Sequence, residues 1–137
     1  MPQQRLSLNI AVAILRRQDR FLVANRPKGS HLEHRWEFPG GKIRAGETPQ
    51  EAVRREAQEE VDVAILEEVL LHTEEHDYGD RSVRLHFFLA IEFEGTAAGR
   101  EGQEIRWVTL EELRGLEFPP ANRNVIELLG EHFEEGP

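Results

Sequence analysis

The stretch GETPQEAVRREAQEEVDV, Gly46 to Val63, decides how the chain is read. Thr48-Pro49-Gln50-Glu51 supplies an N-cap, a proline at the first helical position and a capping-box glutamate. The spacing predicts a helix from Thr48 to about Val61. At about 100° per residue, Val53, Ala57 and Val61 stack as a narrow apolar stripe. Glu56, Glu59 and Glu60 occupy a neighbouring arc of about 100°, while Glu51, Arg54 and Gln58 point the other way. The three glutamates therefore flank the buried stripe instead of lying opposite it.

That placement has a cost. Like charges three and four residues apart repel by a few tenths of a kcal/mol in an exposed helix, and more when partly desolvated. Arg55 relieves Glu59 at the i, i+4 spacing, but one guanidinium cannot neutralise three carboxylates. On these residues alone two readings stand: a solvated helical face, or a site for a hard cation. Magnesium takes oxygen ligands in octahedral geometry, keeps several waters and shares its sphere with substrate phosphates.

Outward from the helix, Leu8 to Leu15 is apolar and β-branched, Gln18-Asp19 punctuates, and Phe21 to Ala24 follows, which reads as a hairpin. RPKGSHLEHRWEFPGGK is a long Gly/Pro-rich loop of the kind that carries function. Strands are expected near Leu66 to Thr73, Ser82 to Phe93 and Glu104 to Val108. Later helices are expected at TLEEL and from Ala121 to Phe133, with a frayed EEGP end. Strands and helices mix without strict βαβ alternation, which favours a mixed sheet covered by helices.

The 137 residues fit one domain, spanning 1–137, and 39% hydrophobic with 31% charged residues suits a soluble globular chain. No stretch is apolar enough to span a bilayer, and the N-terminus lacks the order of a signal peptide, so a cytoplasmic location is expected. With no cysteine, disulfides, thiolate metal sites and cysteine nucleophiles drop out. A net charge of −9 disfavours a nucleic-acid polymer as partner, whereas a small phosphorylated ligand screened by a divalent cation is compatible with it. His72 and His76 share a face of an extended segment, but no third His or Cys is nearby, so structural or solvent-exposed histidines are expected rather than zinc ligands.

Read from Gly41, GKIRAGETPQEAVRREAQEEVDV resembles the signature of the Nudix hydrolases, with Gly41, Glu47, Arg55, Glu56, Glu59 and Glu60 at matching spacing. Two positions depart. Ala57 is small for an aliphatic place, and Asp62 replaces the glycine after the helix. Aspartate tolerates a left-handed C-terminal conformation better than a β-branched residue does, so altered packing is expected rather than lost chemistry. WEFPGGK, YGDRSVRLHFFL, REGQEIRWV and FPPANRNVIELL extend the resemblance, in order, to the MutT branch of that family, the 8-oxo-dGTP diphosphatases.

The resemblance implies an α/β/α sandwich around a mixed β-sheet. It also implies hydrolysis of a pyrophosphate linkage with Mg2+, or Mn2+ as a substitute, and a nucleoside monophosphate and pyrophosphate as products. Glu56, Glu59, Glu60 and Glu101 with the Gly40 carbonyl are the implied metal ligands. Glu56 is the first choice of general base and Glu101 the second. Arg55 is implied to orient carboxylates, and Glu47 to support them. Asn122 is implied to read the base, because a side-chain amide can accept from the N7–H that oxidation creates and donate to O6. Read from its residues alone, Asn122 is instead an N-cap or turn residue. Arg26, Phe38, Lys42, Asp80 and Arg81 are the other implied nucleotide contacts, though Phe38 also suits a core and Lys42 an exposed loop. The implied partner is a small nucleotide rather than a membrane or polymer, and the chain is expected to act as a monomer in nucleotide-pool sanitation. A CTP- or dCTP-type pyrophosphatase and a non-catalytic nucleotide-binding module remain open as rivals.

Overall fold

The capping signals at Thr48 do what their chemistry dictates. In the computed structural model, which describes residues 6–25 and 35–133, helix α1 is Pro49–Val61. Thr48 Oγ1 accepts from Glu51 N at 3.1 Å and Glu51 Oε1 accepts from Thr48 N at 2.8 Å. The helix ends where Asp62 turns left-handed at φ 61°, its N–H returning to the carbonyls of Ala57 and Gln58. Asp62 thus takes the conformation usually given to glycine, and the box helix closes without one.

Eight strands surround this helix: β1 (Leu6–Ile14), β2 (Arg16–Arg17), β3 (Arg20–Asn25), β4 (Trp36–Glu37), β5 (Gly40–Lys42), β6 (Ala64–Asp77), β7 (Arg81–Glu94) and β8 (Ile105–Thr109). Helices α2 (Leu110–Gly115) and α3 (Arg123–Phe133) follow, the second preceded by a 3₁₀ turn, Pro120–Asn122. The expected mixed sheet is ordered β5-β1-β7-β6, with β1 and β7 parallel and the other pairs antiparallel. A second, antiparallel sheet was not foreseen: β3 pairs with β8, β2 and β4. It arises because the chain leaves regular pairing at the buried Leu15, and Gln18 at φ 57° turns β2 back into β3. Most of the long Gly/Pro-rich loop lies outside the described residues, but its end forms β4 and β5.

Alternation along β1 explains the layers. Ala11 and Ala13 face one side and pack, with Leu22 and Phe88, on Ala52, Val53, Ala57 and Val61 of α1. Val12 and Ile14 face the other side and pack, with Phe21, Phe87 and Val108, on Leu113 of α2 and on Val125 and Leu129 of α3. A strand buried on both faces reads as a continuous apolar run, as Ala11 to Leu15 does. The result is helix, sheet, helix, as expected. Ala57 is fully buried in the first cluster, so its small side chain is part of how closely α1 approaches the sheet.

Candidate functional site

The carboxylate edge of α1 meets the sheet at Gly40 and Gly41. Gly40 N donates to Glu60 Oε2 at 3.0 Å. A Cβ on Gly40 would strike the Ala11 carbonyl, and one on Gly41 would strike the Glu56 carboxylate. Two glycines are needed here because backbone and carboxylates pack in direct contact. The helical gradient is steep: Glu60 is 7% exposed, the Glu56 side chain 17% and the Glu59 side chain 47%.

Arg55 organises the exposed part of this edge. Its Nε and Nη2 donate to Glu47 at 2.7 and 2.9 Å, and its Nη1 donates to Glu56 at 2.6 Å and Glu59 at 3.3 Å. A further bond from Nη2 reaches the Lys42 carbonyl at 3.0 Å. The hydrogen bonds from Arg55, and then that from Arg44 N–H, hold the Glu47 carboxyl down at about 2. The guanidinium is raised in turn, first by Glu47 and then by Glu56. Glu47 is therefore the supporting group that its place just before the helix suggested.

A loop from the far side completes the edge. Arg100 N donates to the Glu60 carbonyl at 3.0 Å, and Gln103 Nε2 to the same carbonyl at 3.1 Å. Gln103 Oε1 accepts from Glu101 N at 2.8 Å. Glu101 thus hangs on a loop locked to the last turn of α1.

Sequence reading missed two residues here. Gln103 is buried and clamps the loop. Glu37 lies opposite Ala24 in the β3–β4 ladder, so its side chain leaves on the face that Leu22 turns toward α1. Its signal was available: a lone carboxylate between Trp36 and Phe38, which both face the other core.

Glu60 registers this crowding. Burial pushes its carboxyl up to about 8, against the Gly40 N–H, and the negative charges of Glu37, Glu101 and Glu56 add to the rise. An oxygen-only donor set around one desolvated carboxylate fits a hard dication, which would remove both the repulsion and the desolvation cost. Among the described residues no three acidic or imidazole side chains close on one point as a finished ligand set. Arg55 holds the Glu56 and Glu59 carboxylates to itself.

Asn122 and Phe38 lie on the other face of the sheet. Asn122 is 7% and Phe38 3% exposed, and Phe38 packs on Phe118 with ring centroids 5.2 Å apart. Asn122 sits in the 3₁₀ turn, its backbone N–H donating to Pro119 O at 3.0 Å and its Nδ2 reaching the same carbonyl at 3.4 Å. Its side chain thus folds back on the turn. Lys42 is exposed on β5, opposite Ile10. Asp80 and Arg81 lie at the β6–β7 turn, with Arg81 stacked over Tyr78 at 5.3 Å. Glu74, which bonds the start of α3, pairs with Leu85, and Arg81 is four positions away along β7, roughly 13 Å. Asp80 and Arg81 thus lie at the start of β7, away from the Glu74–Leu85 pair. Arg26 lies outside the described residues. His72 and His76 share the face of β6 turned toward α3.

The 8-oxo-dGTP diphosphatase of Escherichia coli K12 is 42% identical over 123 residues, which cover 89% of this chain and 95% of that protein. A structure from work on MutT of Aliivibrio salmonicida and Vibrio cholerae superposes with a TM-score of 0.80 at 31% identity, covering 93% of this chain and 99% of the other. A CTP pyrophosphohydrolase of Escherichia coli K12 is 28% identical over 120 residues, 88% of this chain and 89% of that protein. No helix among the described residues is long and apolar enough to cross a membrane. The family model described as NUDIX domain matches residues 10–128, and with the box helix, its glycines and its carboxylates in place, the chain belongs to that family.

Proposed function

We propose that the protein is a divalent-metal-dependent 8-oxo-dGTP diphosphatase, releasing 8-oxo-dGMP and pyrophosphate and so clearing an oxidised precursor of DNA replication from the nucleotide pool. Magnesium is the proposed ion, with manganese as a substitute, and the cytoplasm the proposed location. The observation that carries the reading is Glu60, a desolvated carboxylate crowded by Glu37, Glu56 and Glu101 beside the Gly40–Gly41 backbone. Carboxylates outnumber the single Arg55 guanidinium at this site, and a diphosphate on its own would add to the excess of negative charge.

Glu56, Glu59, Glu60 and Glu101, with the Gly40 carbonyl, would hold the ion. When bound, it neutralises phosphate charge and makes a coordinated water more acidic. The remaining work falls to the chain. Arg55 would hold Glu56 and Glu59 in a fixed orientation at the site. Glu56, its side chain 17% exposed and tied to Arg55, is the proposed general base for the attacking water, with Glu101 as the second choice. Lys42, exposed beside the glycines, offers its ammonium to phosphate oxygens.

At the other end Asn122 selects the base. Its amide offers an acceptor for N7–H and a donor for O6, and Phe38 and Phe118 supply an apolar wall. A pocket that pairs with the distinguishing hydrogen discriminates strongly, because the unoxidised base leaves a buried polar group unpaired.

The test is a panel of nucleoside triphosphates, oxidised and unoxidised, incubated with the protein and magnesium. Pyrophosphate from 8-oxo-dGTP at a kcat/KM far above that for dGTP is the expected result. A preference for CTP would move the chain toward the pyrophosphohydrolase relative. Binding without turnover would make it a non-catalytic module.

A further inference from the structure

β6 does not run regularly. Its pairing with β7 slips by one residue between Leu70, opposite Phe88, and His72, opposite Phe87. Without that bulge at Leu71, His72 and Glu74 would lie on the α1 face of the sheet. With it, they share a face with Phe87 and Leu85, which pack in the α3 cluster. A bulge is a device that re-aims side chains.

What it aims is a short chain of hydrogen bonds ending beside Asn122. His72 Nε2 and Glu74 Oε1 lie 2.7 Å apart. The carboxylate only accepts when ionised, so Nε2 carries the hydrogen. Asn124 Nδ2 donates to both Glu74 oxygens, at 3.2 and 3.3 Å. The His72 ring is stacked on the buried Phe87, with centroids 6.2 Å apart and planes 29° from parallel. The bonds to His72 and then to Asn124 hold the Glu74 carboxyl below its usual range, so it stays an acceptor. His72 and Glu74 are about three-quarters buried, at 25% and 22% side-chain exposure, which shields this bond more than a surface pair.

Asn124 follows Asn122 by two residues, at the junction of the 3₁₀ turn and α3. Within the turn, Asn122 N–H bonds the Pro119 carbonyl and Arg123 N–H the Pro120 carbonyl, so the turn is closed by short-range bonds at the point where α3 begins. A grip on Asn124 is therefore a grip on the segment that carries Asn122. We propose that Glu74, braced by His72, is a positioning residue that pins the Asn122 turn to the sheet and so sets base selectivity. This rests on the reading of Asn122 as the base-selecting group.

The test uses the full chain in two measurements. In kinetics, Glu74→Ala and Asn124→Ala should each lower the kcat/KM ratio of 8-oxo-dGTP to dGTP roughly 10-fold, the loss falling on KM for the oxidised nucleotide. The double variant should lose no more than either single one, because one interaction is removed twice. Glu75→Ala is the control, since Glu75 faces the opposite side and pairs with Arg84, and it should leave the ratio unchanged. An unchanged ratio in Glu74→Ala, additive losses in the double variant, or an equal fall in kcat on both nucleotides would overturn the proposal. The second measurement is backbone hydrogen exchange of residues 120–126 without nucleotide, expected to speed up roughly 10-fold in Glu74→Ala and to stay put in Glu75→Ala. A wild type without base preference would sink the Asn122 reading. Unchanged exchange would sink the pin whatever the substrate is.

Discussion

Helix α1 and the turn that carries Asn122 are held in opposite ways. α1 packs on the sheet, but its ends and the exposed part of its carboxylate edge are set by near neighbours: Thr48 with Glu51, Arg55 with Glu47, Glu56 and Glu59, and Asp62 with Gln58. The turn has two backbone bonds of its own, Asn122 N–H to Pro119 O and Arg123 N–H to Pro120 O, and is further placed by residues distant in sequence, Phe38 on Phe118 and Glu74 on Asn124. Local bonds give an arrangement that survives small shifts of the rest of the molecule. Distant ones make the turn's position depend on how the whole sheet packs. On the proposed reading, the phosphate end of the substrate is handled by the autonomous region and the base end by the dependent one.

The comparison can be broken hardest at Glu60. Glu60→Gln is expected to cut metal-dependent pyrophosphate release by on the order of 10³-fold, since the buried member of the carboxylate set is lost, while the fold is retained. An activity within about 10-fold of wild type would mean that the edge of α1 does not do the work assigned to it. Next comes the base end. Asn122→Ala should lower the preference for 8-oxo-dGTP over dGTP by roughly 10- to 100-fold, with dGTP turnover changed only a few-fold. Equal losses on both nucleotides would make Asn122 a structural turn residue.

A smaller effect concerns stability and has a definite sign. The folded Glu60 carboxyl sits at about 8, above its ordinary value of 4.5, so the folded state binds more protons than the unfolded one between these values. Its contribution is fully present below about 4.5 and lost as pH rises toward 8. Metal-free protein should therefore melt several degrees lower at pH 8 than at pH 6. Magnesium should restore more at pH 8, where the carboxylate is free to ligate. Glu60→Gln should flatten this slope, as followed by thermal melts with and without chelator. Glu47 works in the opposite direction, stabilising above 4.5 and losing its effect as pH falls toward 2, outside that window. The smallest expected effect is at Asp62. Asp62→Val should cost roughly 1–2 kcal/mol by denaturant unfolding, because a β-branched residue resists φ 61°. Asp62→Gly should stay within about 1 kcal/mol, since relief of the backbone offsets the lost contacts to Gln58 and Arg100.

The same contrast explains what the sequence disclosed. The bounds of α1, the placement of Glu56, Glu59 and Glu60 beside its buried stripe, and the left-handed Asp62 were legible because helical geometry and capping are local. The resemblance carried the reading to Asn122, which lies buried in the 3₁₀ turn. Glu37 and Gln103 were not found, because their roles arise only when β4 and the loop before β8 are brought to α1. The pin on Asn124 was equally hidden: it depends on a one-residue slip at Leu71, which no period in the sequence announces. The second sheet escaped for a related reason. β2 and β4 are two residues each, too short to leave an alternating pattern.

The parallel pairing of β1 with β7 has a consequence for how the molecule comes into being. Leu6 meets Arg81 and Ile14 meets Leu89, every contact spanning 75 positions. Closing so long a loop is slow, and the chain gains nothing from it until much of the zipper has formed. During synthesis α1 emerges after β1 and β5 but before β6 and β7, so its acidic rim meets an incomplete sheet. The rim becomes a working surface only when β7 docks and the loop bearing Glu101 follows, so a nascent chain stalled before that point is a helix with repelling charges and no enzyme.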